Sequence, residues 1–193
     1  MNSEQQYISL YNDSSELIKS HSADVMNSLR DSAFESFKQL GFPSRKVERY
    51  NYTDMQELFA PDYGLNLKRL DIPVDPYEAF RCDVPNLSTS LYFVVNDQFY
   101  TKALPKVNPG NGIIVDSLCH AAKEYPELVG KYYGKIAKSG EDAVTALNTM
   151  LAQDGLFVYV PKNAKADRCI QVINILRSDV NLMVNRRVLI VLD

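Results

Sequence analysis

Few residues of this sequence stand at spacings that support metal chemistry. The most suggestive pair is Cys119-His120, because thiolate and imidazole are both ligands that zinc prefers. Adjacent residues of a helix point about 100° apart, so the two side chains do not form one chelating face. Structural zinc also takes four ligands. We therefore expect a packed thiol at Cys119 and a surface imidazole at His120.

Candidates for acid–base or nucleophilic catalysis are isolated as well. His21, predicted in a turn between helices, and His120 are the two histidines, and no Gly-x-Ser-x-Gly elbow occurs. The segment from Gly130 to Gly134 lacks the spacing and hydroxyl of a phosphate-binding loop, and is predicted to lie inside a helix. Three carboxylates are interpreted as surface charge: Glu35, Glu48 and Asp54.

These observations predict no catalytic, cofactor-binding or metal-binding residue. We expect the chain not to be an enzyme, and to bind no iron, zinc or nucleotide stoichiometrically.

The composition excludes several classes of protein. Hydrophobic residues make up 46% and charged residues 23% of the 193 residues, which predicts a packed core. With 21 basic against 24 acidic residues there is no basic surface for nucleic acid. The apolar runs are too short to cross a membrane.

The cysteines and the N-terminus indicate the compartment. Cys82, Cys119 and Cys169 are odd in number and scattered, which is typical of free thiols in a reducing compartment. The first residues show no secretory leader. We therefore expect a cytoplasmic protein.

Apolar spacing predicts two N-terminal helices that pack as an antiparallel hairpin. The first runs from about Glu4 to Lys19 and begins with a capping box of Ser3 and Gln6. The second ends at Gly41. Its apolar face comprises Val25, Met26, Leu29, Ala33, Phe37 and Leu40.

Residues 42–63 are predicted to form an extended arm in which basic and aromatic residues are interleaved, until a short helix starts at Asp54. Such a pattern suits either stacking on single-stranded nucleic acid or cation–π packing on the chain's own domain. The acidic balance of the chain favours packing. We expect residues 42–53 to be packed, with Arg45 or Arg49 against a tyrosine or a carboxylate.

The middle of the chain predicts a mixture of strands and helices. A β-hairpin at about residues 91–103 turns at Asn96-Asp97. The other predicted elements are a strand at Ile113–Val115 and helices at Ser117–Tyr125, from Pro126 onward, and at Glu141–Ala152 with Gly155 as terminator.

The last forty residues change character. Short β-rich runs at Leu156–Val160, Cys169–Leu176 and Arg186–Leu192 follow each other without a helix, which favours a β-solenoid, although a sandwich or barrel edge reads similarly. The second run is apolar on both faces and is predicted to be covered on both sides. Because the sequence stops within an apolar strand, we expect the natural chain to continue past Asp193, and the isolated chain to self-associate through this open end.

Two segments resemble the SufB/SufD family of iron–sulfur cluster assembly proteins. The first follows the family pattern Leu-Gly-x-Pro-Thr-Arg-Lys-x-Glu-x-Trp-Lys-Tyr-Thr, with Tyr50-Asn51 where the family has Trp-Lys. It reads Phe37-Lys38-Gln39-Leu40-Gly41-Phe42-Pro43-Ser44-Arg45-Lys46-Val47-Glu48-Arg49-Tyr50-Asn51-Tyr52-Thr53. The second is similar to the start of the family's β-helix and reads Ala146-Leu147-Asn148-Thr149-Met150-Leu151-Ala152-Gln153-Asp154-Gly155-Leu156-Phe157-Val158-Tyr159-Val160-Pro161-Lys162.

The resemblance, closer to SufD than to SufB, implies an α+β fold. Residues 1–153 are expected to form a mostly helical N-terminal domain with the arm and hairpin. Residues 154–193 are expected to begin a right-handed parallel β-helix, truncated at the C-terminus.

The implied function is that of a non-catalytic scaffold subunit of the SufBCD iron–sulfur cluster assembly complex. The implied partners are SufB-type and SufC-type subunits, with ATP hydrolysed by SufC. The SufC-docking region and main SufB contact are implied to lie beyond Asp193, so the isolated chain is expected not to bind SufC. A stand-alone cytoplasmic protein-interaction module of mixed α/β class is the alternative, and an unrecognised hydrolase a third.

Overall fold

The computed structural model describes residues 3–65, 67, 73, 75–80, 89–102, 109–176 and 181–193. Helices and small sheets alternate along these residues, so the fold is mixed α+β, and the described strands close no barrel. The helices are α1 (Ser3–Ser20), α2 (Asp24–Asn27), α3 (Arg30–Leu40), α4 (Met55–Leu58), α5 (Pro76–Ala79), α6 (Leu118–Glu124), α7 (Pro126–Tyr132) and α8 (Ala143–Leu151). The strands are β1 (Gly64–Leu65), β2 (Thr89–Val95), β3 (Gln98–Phe99), β4 (Ile114–Ser117), β5 (Asp154–Val160), β6 (Cys169–Ile175), β7 (Leu182–Met183) and β8 (Arg186–Leu192). No described helix is long and apolar enough to span a membrane.

Helix α1 forms where its apolar spacing predicted it, but its predicted capping box is wrong. The hydroxyl of Ser3 donates to the side-chain oxygen of Gln56. The amide of Gln6 donates to the backbone carbonyl of Phe59. Both polar side chains therefore tie α1 to the segment that follows α3, instead of bonding to each other's backbone amides as a capping box requires.

The second predicted helix is interrupted. Its residues form α2 and α3, separated at Ser28 and Leu29. The break allows Asn27 to accept a hydrogen bond from the Nε of Arg30 at 2.9 Å. Arg30, the first residue of α3, points into the core and is 0% exposed.

Arg30 caps the C-terminal end of α8, because the last carbonyls of a helix have no partner within it. Its five N–H groups meet five acceptors, and the cation lies at the negative end of the helix dipole. Burial lowers the pKa of Arg30 from its ordinary value, although nearby groups favour its charged form. The remaining acceptors are Ser22 Oγ at 2.8 Å and the carbonyls of Thr149 at 3.4 Å, Met150 at 2.9 Å and Ala152 at 2.5 Å.

Three buried clusters form the core. The first packs α1 and α3 against α8, the second packs α2, α6 and α7 against β5 and β8, and the third lies between β2, β3 and β5. The clusters are built around Phe37 and Leu147, around Leu118 and Phe157, and around Tyr92 and Leu156.

Helix α4 begins directly after Asp54, where the sequence predicted a short helix to start, but the residues before it do not form the predicted extended segment. Residues 42–63 contain a 3₁₀ turn at Glu48–Tyr50 and helix α4, joined by turns. Asp54 caps α4 by accepting a hydrogen bond from the amide of Glu57 at 3.1 Å. Local side-chain caps of this kind favour turns over extended backbone.

The strands form three small sheets that join the N-terminal and C-terminal parts of the chain. Strand β2 pairs antiparallel with β3, as the hairpin prediction required, and the turn places Asn96 at φ 54°. The second strand is shorter than predicted, and residues 103–108 lie outside the described residues. The three sheets have the orders β1-β7, β3-β2-β6 and β4-β5-β8, and β1-β7, β2-β6 and β5-β8 are parallel pairs.

Two predictions for the C-terminal strands are corrected. Strand β6 is not covered on both sides, since none of its residues is buried and Leu176 just beyond it is 60% exposed. Gly155 does not terminate α8, which ends at Leu151, but is the second residue of β5. There it faces the backbone of Arg187 in β8, and a Cβ built on Gly155 would lie 1.8 Å from the Arg187 carbonyl oxygen.

Replacing Arg30 with Leu will lower the free energy of unfolding by about 3 kcal/mol or more, because several buried acceptors lose their donors. The exposed Arg45, whose Nε lies 3.5 Å from an Asp54 carboxylate oxygen, provides the matched control. Arg45→Leu will cost less than about 1 kcal/mol. Urea unfolding measures both, and equal losses would contradict the capping role.

Replacing Gly155 with Ala will force β5 and β8 apart, since the added methyl would overlap the backbone of Arg187 in the facing strand. We expect a loss of about 2 kcal/mol or more in the free energy of unfolding. Gly140→Ala is the control, because nothing lies within 4 Å of its Cβ position. Thermal unfolding will separate the two variants, and a stable G155A protein would show that the strands can part cheaply.

Candidate functional site

A cleft of about 540 Å³ lies between the arm and the first turn of α8. We call it the arm cleft. Its walls carry apolar, acidic and basic side chains, so it suits a polypeptide surface better than an apolar small molecule. It is lined by Leu40, Gly41, Pro43, Val47, Glu48, Arg49, Tyr50, Glu141, Asp142 and Ala143.

One end of the arm is fixed by the carboxylate of Glu4. Its Oε1 accepts hydrogen bonds from the backbone amide of Phe42 at 2.8 Å and from the Gln56 side chain at 2.7 Å. Gly41 has φ 59°, and a Cβ at this position would lie 2.9 Å from the same oxygen. The backbone conformation therefore favours glycine here, and a larger residue would also displace the Glu4 carboxylate.

Phe42 fills the space beneath this end. Its ring stacks on Phe59 with centroids 4.7 Å apart and planes 14° apart. The ring of Phe37 meets it edge-on at 5.3 Å, and that of Tyr7 at 6.0 Å. These contacts hold the start of the arm against α1 and α3.

The middle of the arm is held by Tyr50. Its phenol donates to Oδ1 of Asp142 at 2.5 Å, while Oδ2 of Asp142 accepts from the amide and the hydroxyl of Thr145, each at 2.8 Å. Asp142 is thus both the N-cap of α8 and the anchor of the arm. Burial, followed by the hydrogen bond to Asp142, raises the pKa of Tyr50.

The ionisation of Asp142 strengthens this contact. Burial works to raise the pKa of Asp142, but hydrogen bonds from Tyr50 and Thr145 outweigh it and hold the pKa below its ordinary value. Because the folded-state pKa is depressed, the stabilisation is present at neutral pH and is lost as the pH falls through that pKa.

The prediction that residues 42–53 pack on their own domain holds at Phe42 and Tyr50 and is wrong for most of the residues around them. Arg45 pairs with the Asp54 carboxylate, as expected for a basic residue of the arm. Residues 44–49 and 51–53 are exposed, and Tyr52 is 95% exposed. The arm therefore presents basic groups to solvent between Phe42 and Tyr50, and the ring of Tyr52 just beyond them.

A second cleft, of about 440 Å³, lies between α8 and the first residues of β8. Arg187 spans it by donating from Nε to Asn148 Oδ1 at 2.8 Å and from Nη2 to Thr149. The guanidinium carbon also lies 5.7 Å from the centroid of the Tyr133 ring. These contacts attach β8 to α8.

Asp154 is a carboxylate that is almost completely buried, at 4% exposed. Its oxygens accept from the Ser117 hydroxyl at 2.7 Å, the Cys119 amide at 3.0 Å and the Phe99 amide at 3.1 Å. Burial raises its pKa above the ordinary value, although these hydrogen bonds act against the rise. Through these hydrogen bonds Asp154 joins β5 to β3 and α6, which is a structural role.

The structure places Cys119 and His120 as the sequence predicted, one packed and the other at the surface. Cys119 is buried, with its thiol 3.5 Å from the backbone oxygen of His21, which lies in the predicted turn after α1. The His120 side chain is 60% exposed, and Asp116, its neighbour at 2.5 Å, raises its pKa. Within the described ranges, no three His, Cys, Asp or Glu side chains are grouped as metal ligands. Cys119 and Cys169 are free thiols, and Cys82 lies outside the described residues.

The other candidates are also dispersed. Glu35 pairs with Lys38 at 3.0 Å on the surface of α3. Glu48 is exposed. Gly130 lies within α7 as predicted, but Gly134 lies beyond the helix, with φ 71°, where the sequence had predicted a helix interior.

Sequence reasoning missed the buried charges that organise the structure. The sequence did contain an indication for Arg30, because this residue lies on the apolar helix face that Met26, Ala33 and Phe37 define. An arginine on such a face indicates either that the helix is interrupted there or that the arginine is buried and caps another element. Asp154 carried no comparable signal, because its partners come from distant parts of the chain.

Comparison with known proteins shows a consistent similarity. A family model described as the SufBD protein N-terminal region matches residues 1–172. The chain is 31% identical over 154 residues to the chloroplastic iron–sulfur cluster assembly SufBD family protein ABCI8 of Arabidopsis thaliana, covering 74% of this chain and 28% of the relative.

Two bacterial proteins show the same similarity. The chain is 26% identical over 172 residues to the iron–sulfur cluster assembly protein SufD of Bacillus subtilis, covering 87% of this chain and 39% of the relative. It is 34% identical over 152 residues to a SufBD family protein of Staphylococcus aureus, covering 76% and 32%. The chain thus spans about a third of the length of these relatives.

Replacing Tyr50 with Phe will release the arm, because a hydrogen bond to a charged group contributes about 1.5–3 kcal/mol. Trypsin will then cut after Arg45, Lys46 or Arg49 about tenfold faster or more, since cleavage follows the open population. Tyr52→Phe is the matched control, as that ring is 95% exposed. Equal cleavage rates in the two variants, measured by mass spectrometry, would refute the anchoring role of the phenol.

Proposed function

Because this chain belongs to the SufB/SufD family of iron–sulfur cluster assembly proteins, we propose that it is the N-terminal part of a SufD-type scaffold subunit that performs no catalysis itself. The observation that carries the proposal is the match of residues 1–172 to the N-terminal region of the family. In this proposal the subunit works in the SufBCD complex, with SufB-type and SufC-type partners, and SufC hydrolyses ATP. We place it in the cytoplasm, where Cys119 and Cys169 would remain reduced.

The strand order supports a scaffold built on a β-helix. Strands β5, β6 and β7 lie in three different sheets, and β8 returns to lie parallel to β5. We propose that this path is the first coil of a right-handed parallel β-helix. Strands β1 and β2, which pair with β7 and β6, would then cap the first end of the coil together with the helices.

The use of the buried charges supports a structural rather than a chemical role. Arg30 and Asp154 each meet several partners within the fold, and Asp142 holds both the arm and α8. A general acid or base must instead exchange its proton with a bound substrate. The exposed groups of the arm and the arm cleft offer contacts that a scaffold would present to partners.

The proposal predicts a cellular effect on iron–sulfur enzymes. Depleting the gene product that contains this sequence will lower the activity of aconitase and other cluster enzymes severalfold, while cluster-free enzymes serve as the internal control. An N-terminal tag at the natural locus will recover a SufC-type ATPase and a SufB-type subunit. The G155A variant, which disturbs the start of the coil, will restore less activity than the G140A control.

Normal cluster-enzyme activity after depletion, with neither partner recovered, would overturn the proposal and leave the stand-alone interaction module. Elemental and nucleotide analysis of the purified 193-residue chain tests the non-catalytic part. We expect well below one iron, zinc or nucleotide per chain, and one tightly bound ion per chain would contradict that part alone.

A further inference from the structure

The exposed part of the arm carries a positive charge that the chain as a whole lacks. Residues 44–53 include three basic residues, Arg45, Lys46 and Arg49, and one acidic residue, Glu48. All four are exposed. Three basic residues against one acidic residue give this segment a net charge of +2, whereas the whole chain carries −3. Such a local excess of cations attracts an anionic partner.

The ion pair of the arm offsets little of this charge. Arg45 Nε lies 3.5 Å from a carboxylate oxygen of Asp54, and both side chains are substantially exposed. An exposed pair of this kind contributes little, because water competes for both groups. A carboxylate of a partner could therefore replace Asp54 at small cost.

The arm cleft adds an apolar part to this surface. Leu40 at the end of α3 is 45% exposed, Val47 in the arm is 46% exposed, and both line the cleft together with Pro43. The cleft volume of about 540 Å³ lies within the range of ligand sites, about 300–1,000 Å³. Apolar side chains that line a concave surface favour the entry of another apolar side chain, since all of them then lose contact with water. The lining residues lie at 40–50 and 141–143, and none of them belongs to β8.

The same cleft disfavours a nucleic acid. Its lining includes the carboxylates of Glu48, Glu141 and Asp142, which would repel a phosphate backbone. Sites for single strands instead present a continuous basic groove. A polypeptide avoids this repulsion, because its carboxylates can meet the arm while its backbone N–H groups lie against the exposed carboxylate of Glu141. The lining therefore favours a segment of protein.

Two hydrogen bonds hold the arm in position before any partner binds. The amide of Phe42 donates to the Glu4 carboxylate at 2.8 Å, and the phenol of Tyr50 donates to Asp142 at 2.5 Å. The residues between these two points therefore lose little conformational entropy when a segment binds.

We propose that the exposed arm and the arm cleft together bind an acidic segment of a partner protein. An apolar side chain of the segment enters the cleft beside Leu40 and Val47, and its flanking carboxylates meet Lys46 and Arg49. The partner is thus defined by its chemistry. The inference does not depend on a role in cluster assembly, and either can fail without the other.

Fluorescence anisotropy with two mixtures of labelled short peptides tests the preference for charge. Each peptide has a central leucine or phenylalanine in a glycine–serine background, flanked by aspartate and glutamate in the acidic mixture and by lysine and arginine in the basic one. We expect the chain to bind the acidic mixture at least about fivefold more tightly, since exposed ion pairs each contribute modestly. The same preference is expected for a longer product that contains this sequence.

Two pairs of variants locate the binding site. Lys46→Glu will weaken binding of the acidic mixture at least about fivefold, whereas Lys123→Glu, which makes the same change of charge at an exposed position of α6, will change it less than about twofold. Val47→Asp will weaken binding by a similar factor, and Leu17→Asp is its control, because Leu17 on α1 is 42% exposed. Circular dichroism checks that all four variants fold.

Several results would overturn the proposal. One is the absence of binding at millimolar peptide, in the 193-residue chain or in the longer product. Others are equal binding of the two mixtures, or equal losses in Lys46→Glu and Lys123→Glu. Tighter binding of oligothymidylate than of the acidic mixture would assign the arm to single-stranded nucleic acid instead. Self-association of the chain that Val47→Asp abolishes would make a second copy the occupant, which also contradicts the proposal.

Discussion

The structure depends on one buried guanidinium. Arg30 leaves water entirely, which would be prohibitive for an unpartnered cation, and it does so because every donor finds an acceptor. Its guanidinium lies at the C-terminus of α8, where the last carbonyls of the helix and the helix dipole both favour a positive charge. The break between α2 and α3 and the position of α8 follow from this contact, since both elements must reach the same group.

The residues just after that cap connect the helices to the strands. Asp154 gathers donors from β3 and α6, and Gly155 lets β8 approach β5 within the distance that a parallel ladder needs. A short stretch of chain therefore fixes the helical layer, the hairpin and the first parallel pair together. Substitutions here would destabilise both the helices and the strands, whereas substitutions in the arm would weaken only the contacts of the arm.

The arm and β8 are exposed, in contrast to the buried residues that join the helices to the strands. Both leave apolar or basic groups exposed, and both are held by contacts at defined points, Tyr50 for the arm and Arg187 for β8. Surfaces that are exposed yet positioned suit association with other chains, because little conformational entropy is lost on binding. The molecule thus combines a buried, hydrogen-bonded junction with an arm whose exposed groups are held in position.

The sequence by itself determined the local elements and the family. Helical spacing located α1 and α8, alternation and turn residues located the β2–β3 hairpin, and the segment around Gly41 and Pro43 carried the resemblance that the family match confirmed. These features depend on neighbours within a few residues, so a local pattern suffices to predict them.

Tertiary structure decided the rest. The capping box gave way to bonds between α1 and the arm, the second helix divided at Arg30, and Gly155 proved to be a contact point between strands. The parallel pairs join residues that are far apart in the chain, and hydrophobic periodicity does not indicate which strands are neighbours in a sheet. Buried charges such as Asp154 likewise owe their position to partners that only folding brings together.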